Sequence, residues 1–328
     1  MLDFFGQIGS LIMTPLYYAV SAVLLAWHWV FDNITFLSDG WVWTLSIVGL
    51  TVTIRALLIP LFVKQIKSSR NMQLLQPKIK ELQKKYGHDR ERLTQEQMKL
   101  WKETGTNPFA SCLPLLAQMP VFFALFRTID QAAKAPADDL ERGVRGLFNV
   151  EYVESLQGAT IFGARIADTF INTDLTQTRV LTMILVIAMC ATQFLTQRQL
   201  MAKNMPPDAL NGPYAQQQKM LLYILPPVFA IGGIFFPLGV LVYWTTSNLW
   251  TMGQQFYVIR RNPAPGTPAF KAKQQRDSAK GRQVADDPAA AVEEAPRPIV
   301  RQQPRNQPRS QRKKKPGGPA GSSKEKPK

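Results

Sequence analysis

Cysteine and histidine are scarce in this sequence of 328 residues, which has two of each. Cys112 and Cys190 both lie in apolar runs, where a cysteine ordinarily serves as a small apolar side chain. Two cysteines placed in this way supply neither a disulfide framework nor the paired spacing of a zinc site. The motifs HExxH, GxSxG and GxxxxGK[ST] are also missing. We therefore expect no enzyme and no cofactor, and in particular no zinc protease, serine hydrolase or P-loop ATPase.

Acidic residues are few near the end of the chain. Residues 262–328 hold 16 basic and 6 acidic residues, so they carry +10 of the formal net charge of +16. Pro, Arg, Gln, Lys and Gly dominate this stretch, and it has too few large apolar residues to bury a core. We predict a membrane-embedded body followed by a disordered basic tail over residues 261–328.

Charged residues are missing from four long stretches of the body. Residues 104–126 and 180–197 contain none, residues 41–63 contain only Arg55, and residues 220–259 are uncharged throughout. About 20 apolar residues suffice for a helix to cross a bilayer, and the last stretch is long enough for two crossings, with turn residues at Phe236-Pro237-Leu238-Gly239. We therefore predict an all-α polytopic membrane protein with five spans, at about residues 41–63, 107–127, 180–198, 220–236 and 239–258.

The loops between these spans differ in charge. Residues 64–103 hold 11 basic and 5 acidic residues, whereas residues 130–178 hold 4 basic and 8 acidic residues. Loops rich in Lys and Arg remain on the cytoplasmic side of a membrane. The first loop and the C-terminus are therefore predicted to be cytoplasmic.

The N-terminal segment, residues 1–40, allows two interpretations. Residues 6–31 are uncharged and long enough for a sixth span, but they contain Pro15 and several aromatic residues. Aromatic side chains favour the headgroup level of a membrane, so a helix lying on the outer face fits as well. No basic segment precedes it, which disfavours a cleaved signal peptide.

The first cytoplasmic loop, residues 65–104, has the pattern of a helical hairpin. Apolar residues recur at helical spacing from Leu74 to Tyr86, and the pattern breaks at Gly87. Thr94 and Gln97 then form a candidate capping box for a second helix. We predict two charged, amphipathic helices that project into the cytoplasm.

Arg55 is the one charge within a predicted span. An arginine near the middle of a bilayer costs several kcal/mol, so such residues face the protein interior or a hydrated cavity and usually have a function. Lys64 marks the end of the span nine residues later, about 13 Å along a helix, which is too far for Arg55 to reach the headgroups comfortably. We predict that Arg55 is functional.

The other uncharged stretches offer Arg55 no carboxylate partner. Water, lipid phosphate or neutral polar groups must therefore stabilise it, and such groups occur in the other predicted spans. Neutral amides around one guanidinium would form a hydrated, positive cavity, although an amide such as Gln118 or Asn248 can equally bond to a neighbouring helix. The candidate residues are Arg55, Gln118, Gln193, Gln197, Trp244 and Asn248.

Several of these segments resemble the signature of the YidC/Oxa/Alb membrane protein insertases. The resemblance covers about residues 41–260, with the motifs in the order that the family has. The matching segments are Ile54-Arg55 with Pro60 and Leu61, Leu75-Gln76-Pro77-Lys78, Asn107-Pro108, Cys112-Leu113-Pro114 with Gln118 and Pro120, Ala124-Leu125-Phe126, and residues 241–249 (LVYWTTSNL).

The resemblance implies a five-helix core around a hydrophilic groove that is open to the cytoplasm and to lipid. Arg55 would make the groove positive, and Trp244 and either Gln193 or Gln197 would line it with Arg55. The expected substrates are nascent membrane proteins, inserted by the protein alone or with the Sec translocon. The outer domain, lipobox cysteine and transit peptide of other branches are missing, so we expect a Gram-positive type of bacterial plasma-membrane protein.

Two further functions and two tail partners remain open at this point. A small anion transporter could use Arg55 as its binding site, but such proteins usually contain internal repeats, and the Arg55 segment has no second copy. A membrane-anchored scaffold would explain the tail but not Arg55. The basic tail suits ribosomal RNA, and anionic lipid is the alternative partner.

Overall fold

The fold is built almost entirely from helices. A computed structural model describes residues 2–105, 113–205, 216, 219–220 and 222–282. Its helices are α1 (Leu2–Asp32), α2 (Asp39–Leu57), α3 (Ile59–Leu74), α4 (Gln76–Tyr86), α5 (Arg90–Glu103), α6 (Leu113–Lys134), α7 (Val150–Gly158), α8 (Thr176–Asn204), α9 (Leu225–Gly233), α10 (Leu238–Arg261) and α11 (Pro268–Ala279). A 3-10 helix covers Leu140–Gly143.

The prediction of an all-α chain needs one correction. Two short strands, β1 (Thr160–Ile161) and β2 (Ala164–Arg165), pair antiparallel. The connecting residues Phe162 and Gly163 have φ angles of 51° and 76°, and positive φ at both positions gives the twist that a two-residue hairpin turn requires. Strands of two residues are too short for an alternating apolar pattern to reveal them.

The first predicted span, 41–63, is divided at Leu58. α2 ends at Leu57 and α3 begins at Ile59, although hydrogen bonds from Leu58 N to Ile54 O and from Phe62 N to Leu58 O carry the chain across the junction. Pro60 has no N–H to donate to the preceding turn, and its ring crowds that turn, which explains the interruption. Arg55 lies one turn before this junction.

The predicted helical hairpin in the 40-residue apolar run is present with different limits. α9 covers Leu225–Gly233, the chain turns over residues 234–237, and α10 runs from Leu238 to Arg261. The turn lies at the predicted Phe236-Pro237 position, where Pro237 has the extended conformation of an N-cap. Residues 220, 222 and 223 before it are also helical, with a turn at Ile224, so the predicted span 220–236 is mostly helical where it is described; its residue 221 is outside the described residues.

The predicted cytoplasmic hairpin corresponds to α4 and α5, which pack against each other. The predicted capping box at Thr94 and Gln97 is wrong, because α5 already begins at Arg90. Asp89 is the N-cap, and its Oδ1 accepts a hydrogen bond of 3.0 Å from Arg92 N. Thr94 lies within the helix and donates to Arg90 O.

The tail is not disordered from residue 261 onward, contrary to the prediction. α11 covers Pro268–Ala279, with Thr267 as its N-cap and Phe270 buried. A capping hydroxyl, a proline in the first turn and one buried aromatic side chain stabilise this helix locally, which the overall composition of the tail conceals. Residues 283–328, and the first residues of the predicted span 107–127, lie outside the described residues.

The hydrophobic core lies at one end of the helical bundle. It joins the first half of α2, the second half of α6, the first turns of α10 and the segment from the 3-10 helix to β2. We call this region the closed end. Its fully buried side chains include Trp43, Ile47, Leu50, Leu125, Ile129, Leu156, Ile166 and Leu238.

α1 packs against α2 and α6 beside the closed end. Trp27 Nε1 donates to Thr53 Oγ1 at 3.0 Å, and the ring of His28 lies 4.4 Å from that of Trp43. Nearer the N-terminus, Ser21 Oγ accepts a hydrogen bond from Leu147 N. α1 is thus a packed helix that contacts the segment between α6 and α7.

By length and composition alone, two helices of the described chain could cross a membrane. These are α2 and α8. α8 extends beyond the predicted span 180–198 at both ends, from Thr176 to Asn204.

Candidate functional site

Arg55 is buried in the last turn of α2. Its side chain is only 8 % exposed. The Nε atom donates to Ser247 Oγ at 3.1 Å, and Nη2 donates to the same oxygen. Its Cζ atom lies 5.6 Å from the ring centroid of Phe62 on α3. These contacts hold the guanidinium between α2, α3 and α10.

The partners of Arg55 are electrically neutral. Ser247 supplies a hydroxyl and Phe62 the face of an aromatic ring, and no described carboxylate forms a salt bridge with Arg55. A hydroxyl oxygen accepts hydrogen bonds without cancelling the positive charge. Arg55 therefore remains a net cation among its described partners.

Gln118 and Tyr243 form a second polar contact beside Arg55. Gln118 Nε2 on α6 donates to Tyr243 Oη on α10. The Gln118 Oε1 atom is buried and has no hydrogen-bond partner among the described residues. Tyr243 is 2 % exposed and lies one helical turn before Ser247 on the same face of α10. One face of α10 therefore carries polar contacts to both α2 and α6.

Trp244 belongs to an aromatic cluster that joins three parts of the chain. Its ring centroid lies 4.6 Å from that of Phe229 on α9, 5.4 Å from that of Phe122 on α6 and 5.9 Å from that of Phe236 in the turn. Each pair has a steep interplanar angle, a favourable edge-to-face arrangement. Trp244 follows Tyr243 in sequence. Tyr243 bonds to Gln118, whereas the described contacts of the Trp244 ring are with Phe229, Phe122 and Phe236.

The remaining predicted residues link α8 to this region or lie on α8 itself. Asn248 Nδ2 on α10 donates to Met189 O on α8 at 3.4 Å. Gln193 and Gln197 follow Met189 at intervals of one helical turn and are both half-buried. The structure thus uses Gln118 and Asn248 to connect neighbouring helices, one of the two roles that the sequence allows. The choice between Gln193 and Gln197 remains a prediction.

Sequence reasoning did not find Ser247, Tyr243 or Phe62. A signal for the first two was present, because a buried guanidinium requires acceptors and α10 offers a hydroxyl at each of these positions. Tyr243 and Ser247 are also separated by four residues, which places them on one helical face. Phe62 carried no such signal, since it contacts Arg55 across the junction between α2 and α3.

Main-chain contacts join the closed end to α10. Leu238 N donates to Asp168 O at 2.9 Å and Gly239 N donates to Ile166 O at 3.0 Å. On α2, a Cβ atom added to Gly40 would lie 1.8 Å from Thr160 O, so only glycine permits this approach of β1 to the helix. Both helices are thereby fixed to the same segment, residues 160–168.

Comparison with known proteins first defines the family. A family model described as 60Kd inner membrane protein matches residues 12–265. The chain belongs to this family, and the family resemblance of the sequence motifs is confirmed. It is accordingly an integral protein of the cell membrane.

Relatives named "Membrane protein insertase YidC" cover most of the chain. One from Streptomyces avermitilis is 46 % identical over 280 residues, which cover 83 % of this chain and 63 % of the relative. One from Mycobacterium tuberculosis is 36 % identical over 265 residues, or 74 % of this chain and 72 % of the relative. One from Bifidobacterium longum is 32 % identical over 320 residues, or 93 % of this chain and 95 % of the relative.

The chain spans just under two thirds of the length of the Streptomyces relative. Among solved structures, one titled "Active YidC insertase crystal structure with the first transmembrane domain resolved" matches with a TM-score of 0.43 at 23 % identity. The match covers 73 % of this chain and 46 % of that chain.

Proposed function

We propose that this protein inserts nascent integral membrane proteins into the cell membrane through a positively charged groove beside Arg55. The observation that carries the proposal is a buried arginine whose described partners are all neutral. A protein that kept Arg55 only for stability would gain more from an ion pair or an apolar residue there, since an unpaired buried charge is costly. The names of the relatives favour insertion over the anion transporter.

The proposed body crosses the membrane five times. Large apolar side chains are exposed on helices beyond α2 and α8, which is favourable only if lipid surrounds them. Examples are Leu116 and Phe123 on α6, Val228 and Ile231 on α9, and Leu249 on α10. The excess of basic residues in 64–103 and after α10 supports cytoplasmic positions for the hairpin of α4 and α5 and for the C-terminus.

The proposed groove is closed on the outer side and open towards the cytoplasm. Support comes from the distribution of buried residues along α2, where Trp43, Ile47 and Leu50 precede Arg55. With α2 running inward, the closed end faces outward and Arg55 lies in the inner half. α1 contacts the closed end through His28, which favours the outer-face helix over a sixth span.

A half-deep groove lowers the barrier for a client polypeptide. A polar segment of the client must cross an apolar layer where its unsatisfied polar groups cost several kcal/mol. A hydrated groove shortens that layer, and Arg55 offers acidic side chains a transient charge-assisted hydrogen bond. Release of the client's apolar helix into lipid then contributes about 25 cal/mol per Å² of apolar surface.

Two further physical terms assist the same step. A span of residues 220–236 would be about 25 Å long, shorter than a hydrocarbon core of about 30 Å, so it would thin the bilayer locally. An outside-positive membrane potential favours outward movement of each acidic charge by about 2.3 kcal/mol per 100 mV. The mechanism thus needs no nucleotide and no covalent intermediate.

We also propose that the basic tail contacts the translating ribosome, and that the Sec translocon can cooperate. The tail would bind RNA phosphates at the exit of a cytoplasmic groove, and such binding weakens steeply with salt. Deletion of residues 283–328 should then reduce co-sedimentation with translating ribosomes. Undiminished co-sedimentation would exclude this role of the tail.

The insertion proposal is tested with purified protein in liposomes. The client is a small single-span protein with an acidic outer segment, and the readout is protection of that segment from external protease. Arg55→Ala should reduce insertion about tenfold or more, since a hydrogen-bonded charge contributes about 1.5–3 kcal/mol. Arg127→Ala, which removes an exposed arginine of α6, is the matched control and should insert normally.

A client whose acidic residues are replaced by amides should depend less on Arg55. Several clients are needed, because each uses the positive charge to a different degree. Equal insertion by Arg55→Ala and the wild type for all of them would refute the charge-dependent mechanism.

A further inference from the structure

α11 forms a pair of adjoining cavities with the ends of α8 and α10. Its position is fixed by Ala264 N, which donates to Asn204 Oδ1 at 2.9 Å, and by Thr267, whose hydroxyl donates to Ala264 O at 2.6 Å. Phe270 is 5 % exposed and anchors the helix on the body. This part of the tail is therefore a built surface.

The first cavity is strongly basic. It has a volume of about 460 Å³. Its lining consists of six cationic side chains and one carboxylate: Arg260, Arg261, Lys273, Arg276, Lys280, Arg282 and Asp277. Arg276 Nη2 donates to Arg260 O at 3.0 Å, which ties α11 to the end of α10.

The cations of this cavity are not neutralised by the described chain. No salt bridge joins Asp277, or any other described carboxylate, to one of the six basic residues. Several cations held this close repel each other unless an anion lies between them. Guanidinium groups bind phosphate through parallel hydrogen bonds, so a phosphate group matches the cavity.

The second cavity is mainly apolar and adjoins the first. It has a volume of about 300 Å³ and shares Arg260 and Arg276 with the basic cavity. Its other lining residues are Gln199, Lys203, Phe256, Ile259, Pro268, Ala269 and Ala272. A ligand that filled both cavities would need a phosphate group attached to an apolar chain.

Both cavities lie where α10 would leave the membrane. Arg260 and Arg261 follow directly after the uncharged run of residues 220–259. Phe256 and Tyr257 are 53 % and 61 % exposed, and Arg261 Cζ lies 6.0 Å from the Tyr257 ring centroid. Exposed aromatic residues beside basic ones are typical of the headgroup level.

We propose that these cavities bind one anionic phospholipid at the cytoplasmic surface, with its phosphate in the basic cavity and part of an acyl chain in the apolar one. RNA would use the cations but leave the apolar cavity empty, which favours lipid. The proposal rests on the proposed function only in requiring that α10 crosses the membrane.

Lipid retention by the full chain tests this proposal. Protein is purified in a mild detergent with phosphatidylglycerol or phosphatidylcholine, and the bound lipids are counted by native mass spectrometry. The wild type should retain one phosphatidylglycerol in preference to phosphatidylcholine. The double variant Arg261→Gln, Lys273→Gln should bind phosphatidylglycerol about thirtyfold more weakly, because each basic residue near an anionic headgroup contributes about 1 kcal/mol.

Two further variants separate this site from general charge attraction. Arg312→Gln with Lys313→Gln removes the same charge from the tail and should retain the lipid. Ala272→Trp fills the apolar cavity while leaving every cation, and it should lose the phospholipid but still bind inorganic phosphate or glycerol phosphate.

Three results would overturn the proposal. Equal losses in the cavity and tail variants would indicate general charge attraction. Retention of the phospholipid by Ala272→Trp would show that the site recognises only the phosphate group and not the acyl chain. If the Arg261→Gln, Lys273→Gln variant retained the phospholipid but bound ribosomes more weakly, the site would be assigned to RNA. Arg55→Ala should retain lipid normally, so failure of the insertion proposal is distinguishable from failure of this one.

Discussion

The two ends of the helical bundle use buried side chains differently. At the closed end, Trp43, Ile47 and Leu50 of α2 pack against apolar residues of α6 and α10. Directly beyond them on α2, the buried residues are Thr51 and Arg55, and Arg55 bonds to Ser247 on α10. The same two helices thus form a dry core at one end and a polar contact at the other.

This difference separates stability from function along the chain. Apolar burial dominates the free energy of folding, so most of it should come from the closed end. Polar groups around Arg55 contribute less and leave a charge unpaired. A substitution at the closed end should therefore lower stability first, and one at the arginine end should lower insertion first.

The largest effect is expected for Gly40→Ala. The new methyl group would lie 1.8 Å from Thr160 O, a main-chain atom, so β1 must move away from α2. We expect a loss of about 4 kcal/mol or more, in the range of severe backbone clashes. Thermal unfolding in detergent, followed by tryptophan fluorescence, measures the loss.

Gly253→Ala on α10 is the matched control. An added methyl group there meets no atom within 4 Å, and alanine is favoured over glycine within a helix by about 0.5–1 kcal/mol. Its unfolding temperature should rise slightly. Equal destabilisation by both variants would contradict the assignment of the closed end as the rigid part.

Leu50→Ala should give the next largest effect. Leu50 is fully buried at the closed end, and removal of a buried leucine side chain costs about 2–5 kcal/mol. Leu57→Ala on the same helix removes a side chain that is 73 % exposed and should change stability by about 0.5 kcal/mol or less. Thermal unfolding of both variants compares the two ends of α2 directly, and a larger loss for Leu57→Ala would reverse our interpretation.

Ser247→Ala should affect the arginine end by a smaller amount. It removes the oxygen that accepts two hydrogen bonds from Arg55, at a cost of about 1.5 kcal/mol for bonds to a charged group. We expect insertion to fall about tenfold in the liposome assay, while the unfolding temperature falls less than in Leu50→Ala. Thr251→Ala deletes a hydroxyl one turn later that bonds only to its own helix, and it should insert like the wild type.

Thr267→Ala should have the smallest effect, and it should be confined to α11. The Thr267 hydroxyl caps this helix and is fully buried, and loss of an N-cap costs about 1 kcal/mol. Hydrogen exchange should become faster in residues 268–279 and stay unchanged at the closed end. Faster exchange throughout the protein would indicate that α11 supports the whole bundle.

The helices were predictable where the charge pattern matches their ends. The uncharged run predicts α10 as 239–258, and the helix covers Leu238–Arg261. α8 is less well predicted, because its helix continues through Arg179 and Lys203, whereas an apolar run marks only the part suited to lipid. α11 is missed because Thr267 and Pro268 form a local helix start within a composition typical of disorder.

The candidate site was predictable to the extent that it depends on charge. Arg55 stands out in an uncharged run, but its partner Ser247 is one of several hydroxyl residues on α10, and only packing decides which of them faces α2. Trp244 is predicted to line the groove with Arg55, yet its described ring contacts join it to Phe229, Phe122 and Phe236. Contacts between distant helices depend on rotation of each helix, which the pattern of one helix cannot supply.

The junction between residues 166–168 and α10 has a consequence for sequence variation. Its two hydrogen bonds, from Leu238 N to Asp168 O and from Gly239 N to Ile166 O, use main-chain atoms only. Main-chain groups are the same for every residue type except proline, so substitutions at 166 and 168 preserve these acceptors. Deletion of one residue between β2 and position 168 would move both carbonyls out of register. This junction is therefore restricted in chain length more than in residue type.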